Sequence, residues 1–338
     1  MSNPDFGISP SIIHGDTADV YFHRTMEVLR LENMNPTVIM EFFANRPGII
    51  CGLEEVKVLL HKVLPEENTE VWTLEEGSTI DRKEVVLRIK ARYVPLGLYE
   101  TAICGILASS TGWATAAAEI VEAAGGSPEK GGIPVVSFGA RHVHPNVAAI
   151  ADYAAVRGGC VSCSTNLGAK LAEVSATGTM PHALILIFGD TVRAMQSFDK
   201  HMPFEVARIA LVDTFKDEAE ESLLVARALR EKLRGVRLDT ASERGGVTPE
   251  LVREIRARLD LEGFNHVNIW VSGGLNPERI ARFRELDSPV TGFGVGSYIS
   301  GASPNDFTAD IHEVDGKPIA KRGRIPGVTR NPRLNRIL

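Results

Sequence analysis

Long apolar runs are missing from this chain of 338 residues. None stays uncharged over the roughly 20 residues that span a bilayer, which excludes a helical membrane protein. Basic excess is missing too. The formal net charge of -6 argues against a duplex-binding surface, because neutralising a phosphate backbone needs surplus Lys and Arg. A small anionic substrate remains open, since a few local arginines suffice for one. The first residues, MSNPDFGISPSIIHGD, lack a basic region followed by an apolar core, so no signal peptide is read there. Cysteine is scarce at four residues, which suits a reducing compartment, and the expected location is the cytoplasm. Cys160 and Cys163 form a CxxC pair, but Cys51 and Cys104 are isolated and no further ligands lie at zinc spacing. The pair reads as ordinary buried thiols, and no metal site is assigned.

What is there is an ordinary globular balance, 44% hydrophobic and 24% charged, in a chain long enough for one large domain and a smaller one. Residues 17–33 have a helical pattern, with Asp16 or Thr17 as N-cap and Val20, Met26, Val28 and Leu29 along one side. From Thr37 to about Leu98 the character turns to short β segments, with a turn at Gly77-Ser78 and alternating Val85, Leu87 and Ile89. Leu98 to Ala124 is Ala-rich and reads as a helix pair, followed by the loop GGSPEKGG. Beyond it, strand-like runs alternate with amphipathic helical stretches: PVVSFGA, GCVSCST, RIALVDT, GVRLDTA, HVNIWVSGG and VTGFGVGS. That rhythm implies a parallel sheet with both faces covered. The expected fold is α/β: an irregular TIM-like α/β barrel over residues 126–300. Residues 1–125 with 301–338 form a smaller, discontinuous, β-rich α/β domain, because the β character of FTADIHEVDGKPIAKRGR has no helix to join the barrel. Six strands are countable where a complete barrel has eight, and a doubly wound open sheet is the alternative.

Functional groups of such a barrel collect at the C-terminal ends of its strands. Those ends carry Phe138 and Arg141, Asp213 and Thr214, Arg237 and Asp239, Ser272-Gly273-Gly274, and Gly292 to Gly296. None presents a lysine, which argues against Schiff-base chemistry there. In WVSGGLNPERIARF a serine and two glycines precede a helix capped by Asn276 with Pro277 at its first turn. Backbone N–H groups at such a start suit a phosphate dianion. GFGVGS adds Gly294 and Gly296 in the next loop, and paired loops after the last two strands are a common phosphate grip. The plainer reading is that these glycines only serve tight turns. Arg237 and Asp239 lie two apart on one strand, hence on one side. They either meet phosphate oxygens and ribose hydroxyls or magnesium, or form an internal ion pair. Arg141 could grip a carboxylate while Phe138 stacks on a flat ring; otherwise they are a surface arginine and a core phenylalanine. His182, after Gly178-Thr179, sits at a loop-to-helix transition and reads locally as structural. His142 and His144 lack a third ligand.

Taken together, TADVYFHRT, SFGARHVHP, TGTMPHALI, LVDTF, VRLDTAS, VSGGLN, GFGVGS and FTADIHEVDGKPIAKRGR resemble the nicotinate phosphoribosyltransferase family in its shorter, archaeal-type form. The resemblance runs in family order from about residue 17 to 324. It implies transfer of ribose 5-phosphate from phosphoribosyl pyrophosphate, with Mg2+, to the ring nitrogen of nicotinate in NAD biosynthesis, coupled to ATP. It implies a homodimer or larger homo-oligomer in which Tyr21 reaches a neighbouring site and stacks on nicotinate opposite Phe138, with Arg141 on the carboxylate. Arg237 and Asp239 would contact the phosphoribosyl group, and Ser272, Gly273, Gly274, Gly294 and Gly296 its 5-phosphate. Thr179 and Asp213 are placed with the substrate, and His182 matches the histidine phosphorylated from ATP. Three departures stand out: His142 follows Arg141 where an arginine pair is common, Thr240 replaces a usual serine, and the tail has no cysteine cluster for a zinc knuckle. A decarboxylating quinolinate phosphoribosyltransferase and a non-catalytic phosphoribosyl-ligand sensor are the alternatives.

Overall fold

The computed structural model describes residues 6–338; the first five residues of the N-terminal stretch read for a leader lie outside it. The chain divides into two compact units, one made of the residues up to Thr115 with Ala302–Leu338, the other of Ala116–Gly301. The division falls inside a helix and not at the GGSPEKGG loop. Glu100–Ala123 is one continuous helix, not a pair, because nothing in it breaks the backbone ladder: its glycines lower helix propensity but leave every N–H in place. No helix among the described residues is long and apolar enough to cross a membrane.

The first unit is built on an antiparallel sheet. Phe307–Val314 pairs with Thr37–Ala44, which pairs with Val85–Arg92, which pairs with Glu70–Thr73. The late strand therefore lies beside the earliest one, and the unit is discontinuous in sequence. Met40, Phe42, Leu87 and Ile89 are fully buried on the sheet. Leu53–Val63 is a helix within the stretch expected to be β-rich. Leu53, Val56, Leu59 and Leu60 repeat at helical spacing and are buried, while Glu54 and Glu55 in the first turn and His61 and Lys62 in the last suit the helix dipole. The opening helix is shorter than expected, Val20–Leu31 with Asp19 at the N-cap. Its apolar side is not core: Phe22 is the buried residue, and Val20 and Val28 are more than half exposed. Asp19 accepts from the Thr101 and Tyr21 hydroxyls instead of closing the helix end.

The second unit holds six parallel strands: Val135–Ser137, Ser162–Cys163, Ile209–Leu211, Gly235–Leu238, Asn268–Val271 and Gly292–Val295. Their spatial order is second, first, sixth, fifth, fourth, third, so the first strand pairs with the last. Between the second and third strands the chain makes three helices, Asn166–Ala172, His182–Phe188 and Thr191–His201, and no pairing links those two strands among the described residues. Val136, Ala210, Val236, Ile269 and Phe293 are buried, as expected of strands covered on both faces. The helices Glu218–Leu229, Pro249–Leu261 and Pro277–Glu285 bury Val225, Ile255 and Phe283. Cys160 and Cys163 are both buried; burial pushes the Cys163 thiol up to about 12 and Cys160 upward as well. Both are protonated packing residues, and no cluster of three metal-ligating side chains occurs among the described residues.

Glu55 gives the first unit a pH dependence. It is 9% exposed, and burial, with Glu76 nearby, pushes its carboxyl up to about 7. A folded-state value above the unfolded one means the folded protein binds the extra proton, so stability falls as pH rises from the ordinary Glu range through about 7. Glu55→Gln keeps the shape without the charge. Urea unfolding at pH 8 will find this variant more stable by about 3 kcal/mol, and at pH 4 indistinguishable. An equal difference at both pH values would assign the effect to packing.

Candidate active site

The polar strand ends of the second unit, except Asp213 and Thr214, open on one cavity of about 630 Å³. It is lined by Phe138, Arg141 and His142 from the first strand end, Thr179 and His182 from the helical insertion, Arg237 and Asp239, Ser272 to Gly274, and Gly294 and Gly296. Loops collect there because parallel strands end together and the chain turns into a helix after each. Asp213 does not line the cavity but stands directly behind it. Tyr21 is not among the lining residues; it lies on a helix of the first unit, 55% exposed.

Gly294 determines the position of the aromatic ring. A Cβ built on it would stand 2.3 Å from Cε2 of Phe138, so only glycine leaves room for the ring. The Arg237 guanidinium lies over that ring, 5.7 Å from its centroid, and donates to the Met180 carbonyl at 3.1 Å. No carboxylate is within ion-pair distance of Arg237 among the described residues, and its Nε has no partner. The internal Arg237–Asp239 pair is therefore not formed. Asp239 instead accepts from the Ser272 hydroxyl at 2.9 Å. Burial pulls the Arg237 guanidinium below its ordinary value, Asp239 and Asp213 opposing; it remains a cation at any working pH.

In the cavity wall His182 opens the helix His182–Phe188, and its Nε2 lies 3.1 Å from Oδ2 of Asp213 behind it. That leaves Nδ1 as the nitrogen without a protein partner. Burial pushes the Asp213 carboxyl up, with the His182 hydrogen bond opposing, and its Oδ1 is unpartnered, as is the buried Thr214 hydroxyl. Orphaned polar atoms cost free energy unless water or a ligand completes them. At the opposite side Gly273 has φ +88° and Gly274 +58°, a left-handed turn that lays bare backbone along the wall before the helix Pro277–Glu285. Asn276 caps that helix through the Arg279 N–H at 2.9 Å. Backbone N–H groups with no side chain in front of them form an anion cradle.

Several lining groups were not singled out from sequence. Ser164 follows the strand Ser162–Cys163 and repeats the pattern of a polar residue after an apolar run. Met180 contributes through its carbonyl, which no side-chain pattern reveals. His142, read only as half of an HxH pair, packs beside Gly296, where a Cβ would come within 3.2 Å of its Nε2.

The description "Quinolinate phosphoribosyl transferase, N-terminal domain" matches residues 19–111, and the corresponding C-terminal domain matches residues 113–310. The chain belongs to this phosphoribosyltransferase family. Two curated nicotinate phosphoribosyltransferases of Mycobacterium tuberculosis are 32% identical over 236 residues and 31% identical over 256 residues, covering 68% and 73% of this chain. The matches cover 48% and 54% of those proteins, so the chain spans about half the length of the curated relatives it matches. Among solved structures, a nicotinate-nucleotide pyrophosphorylase from Pyrococcus furiosus is 42% identical with a TM-score of 0.86, covering 97% of this chain and 82% of that one. Human nicotinic acid phosphoribosyltransferase, 20% identical with a TM-score of 0.71 over 92% of this chain and 77% of that one, shares the fold.

The fit of Phe138 against Gly294 is testable by a double-mutant cycle. Gly294→Ala alone will cost about 1–3 kcal/mol through overpacking. In a Phe138→Ala background the same change will cost much less, because the atoms it strikes are gone. Denaturant unfolding of the four proteins measures the coupling; strictly additive costs would show that the ring does not fill that space.

Proposed function

We propose that this member of the family transfers the phosphoribosyl group of phosphoribosyl pyrophosphate to nicotinate, forming nicotinate mononucleotide and pyrophosphate. One observation carries the choice of base. Of the two arginines in the lining, Arg237 is engaged with the Phe138 ring and the Met180 carbonyl, which leaves Arg141 as the one uncommitted guanidinium, with His142 next to it and no lysine in the lining. Nicotinate has one carboxylate to match one guanidinium fork. Quinolinate has two, and a second buried carboxylate left without a cation is costly.

The reaction follows from positioning. The ring nitrogen is already nucleophilic, so catalysis consists of holding it in line with the anomeric carbon while the bond to pyrophosphate breaks. The Gly273-Gly274 and Gly294-Gly296 backbone would hold the 5-phosphate. Arg237, a cation with a free Nε, faces the charge that develops on the departing pyrophosphate. Asp239 would take the ribose hydroxyls. Magnesium fits this site only as a companion of the substrate: Asp239 offers a carboxylate, and the described residues hold no cluster for a dedicated metal. Bound there, it would neutralise pyrophosphate oxygens. His182, oriented through Nε2 by Asp213, is the residue we assign to phosphoryl transfer from ATP at Nδ1.

The wider reading is a short-form enzyme in NAD biosynthesis, acting in the cytoplasm as a homodimer or larger assembly. Coverage supports the short form, 82% of the Pyrococcus furiosus chain against 48% of the longer Mycobacterium tuberculosis protein. The half-exposed Tyr21 suits a partner's site, and the cyclic strand order suits an irregular TIM-like barrel. Quinolinate with decarboxylation is the second reading, favoured by the family description and by the Pyrococcus furiosus structure.

Product assay with nicotinate, quinolinate and nicotinamide, each with and without ATP, separates these readings. Nicotinate mononucleotide from nicotinate, increased by ATP, is expected; product with release of carbon dioxide from quinolinate alone would replace our reading by the second. No turnover with any base, alongside binding of phosphoribosyl pyrophosphate, would favour a sensor. Arg141→Ala is expected to weaken nicotinate binding about ten- to a hundredfold with donor binding kept. Unchanged nicotinate affinity removes Arg141 from the site.

A further inference from the structure

The backbone of the anion cradle is itself held in place. Arg279, in the helix that follows the cradle, donates from Nη1 to the Gly273 carbonyl at 3.1 Å and the Gly274 carbonyl at 2.8 Å. Its Nη2 donates to the Val247 carbonyl of the preceding loop at 3.1 Å. The guanidinium occupies space that only small residues leave: a Cβ on Gly246 would lie 2.9 Å from Nη2, and one on Gly274 3.2 Å from Nη1. A peptide is planar with its C=O and N–H opposed. Turning the two carbonyls toward Arg279 therefore turns the N–H groups of Gly274 and Leu275 away from it. Neither N–H has a protein partner, and Gly273 and Gly274 line the cavity.

Charge separates Arg279 from other arginines that clamp loop carbonyls in this unit. Arg208 binds the Met202 and Pro203 carbonyls but pairs with Asp199 at 2.9 Å, and Arg256 binds the Phe264 carbonyl but pairs with Asp260 at 2.7 Å. A structural clamp carries its own counter-ion in both cases. Arg279 has no carboxylate within ion-pair distance among the described residues, so its positive charge stays uncompensated directly behind the cradle.

We propose that Arg279 is a positioning residue for the phosphate end of the donor. It fixes the Gly273–Leu275 peptides with their N–H groups available and adds an unneutralised charge at their back. This rests on the phosphate-grip reading above, and the test keeps the two apart. Wild type, Arg279→Gln and Arg279→Lys are titrated with inorganic phosphate by calorimetry, and donor KM, base KM, kcat and Tm are measured in parallel. Arg279→Gln is expected to weaken phosphate binding and raise donor KM by about tenfold or more, with base KM and Tm little changed. Arg279→Lys, which keeps the charge and loses the fork, should fall between. Phosphate binding within about twofold of wild type in Arg279→Gln overturns the proposal while leaving the grip intact. So does a rise of donor KM and base KM together with a fall in Tm, the mark of loosened loops. If the wild type itself binds no phosphate, the grip reading fails and this proposal with it.

Discussion

A half-buried cation with no ion-pair partner among the described residues organises the second unit. Arg237 is held by the Met180 carbonyl and the Phe138 ring, neither of which neutralises it. That arrangement requires Phe138 to lie where it does, which in turn requires Gly294 to have no side chain. It also ties the strand end of Arg237 to the helical insertion, because Met180 sits two residues before His182. Position of the ring, of the guanidinium and of the histidine loop are therefore one linked problem. Asp239 and Asp213 offset part of that charge without pairing with it, and an incoming anion would share the rest of the burial cost.

The same imbalance recurs around the cavity. Asp213 keeps one oxygen on His182 and leaves the other without a partner, and the Thr214 hydroxyl next to it is also unsatisfied. Arg279 leaves its charge open behind the glycine turn. Elsewhere in this unit polar groups close on one another: Glu221 accepts from the Thr191 hydroxyl and from the Phe215 and Lys216 N–H groups, and Arg208 is ringed by carbonyls and Asp199. Arg256 Nε and Ser288 Oγ are also unpartnered in this unit, but Asp213, Thr214 and Arg237 are the open groups that gather around one cavity, the pattern expected where stability has been given up for ligand binding.

Much of this site was legible because its chemistry sits in side-chain identity at strand ends. Apolar runs ending in RLDT, SGG and GFG place Arg237, Asp239 and the glycines at the same end of a parallel sheet, whatever the details of its closure. The choice between an ion pair and a free arginine was not legible. Residues two apart on a strand share a side, but whether their charged ends meet depends on what stacks against them, here Phe138. Backbone contributions were hidden as well, since Met180 acts through an oxygen every residue has. The helix Leu53–Val63 was missed inside a β-rich neighbourhood because its flanks carry strong strand patterns. The single long helix was split because alanine-rich sequence with internal glycine gives no sharp end. The opening helix was read as amphipathic, yet its apolar residues Val20 and Val28 find no core in this chain, which periodicity alone cannot foresee.

If the function proposed above holds, selectivity among pyridine acids would reduce to charge counting near Phe138. Arg141 and Arg237 are the arginines of the cavity, and they are not equivalent. Arg237 is held against the Phe138 ring and the Met180 carbonyl, and binding a carboxylate elsewhere would mean abandoning those contacts. Arg141 lies on the short turn Ala140–His142, exposed and with no ion-pair partner among the described residues, free to close on a carboxylate. On the reading proposed above, a monocarboxylate would match the one uncommitted guanidinium, whereas a dicarboxylate would need a second cation beside it.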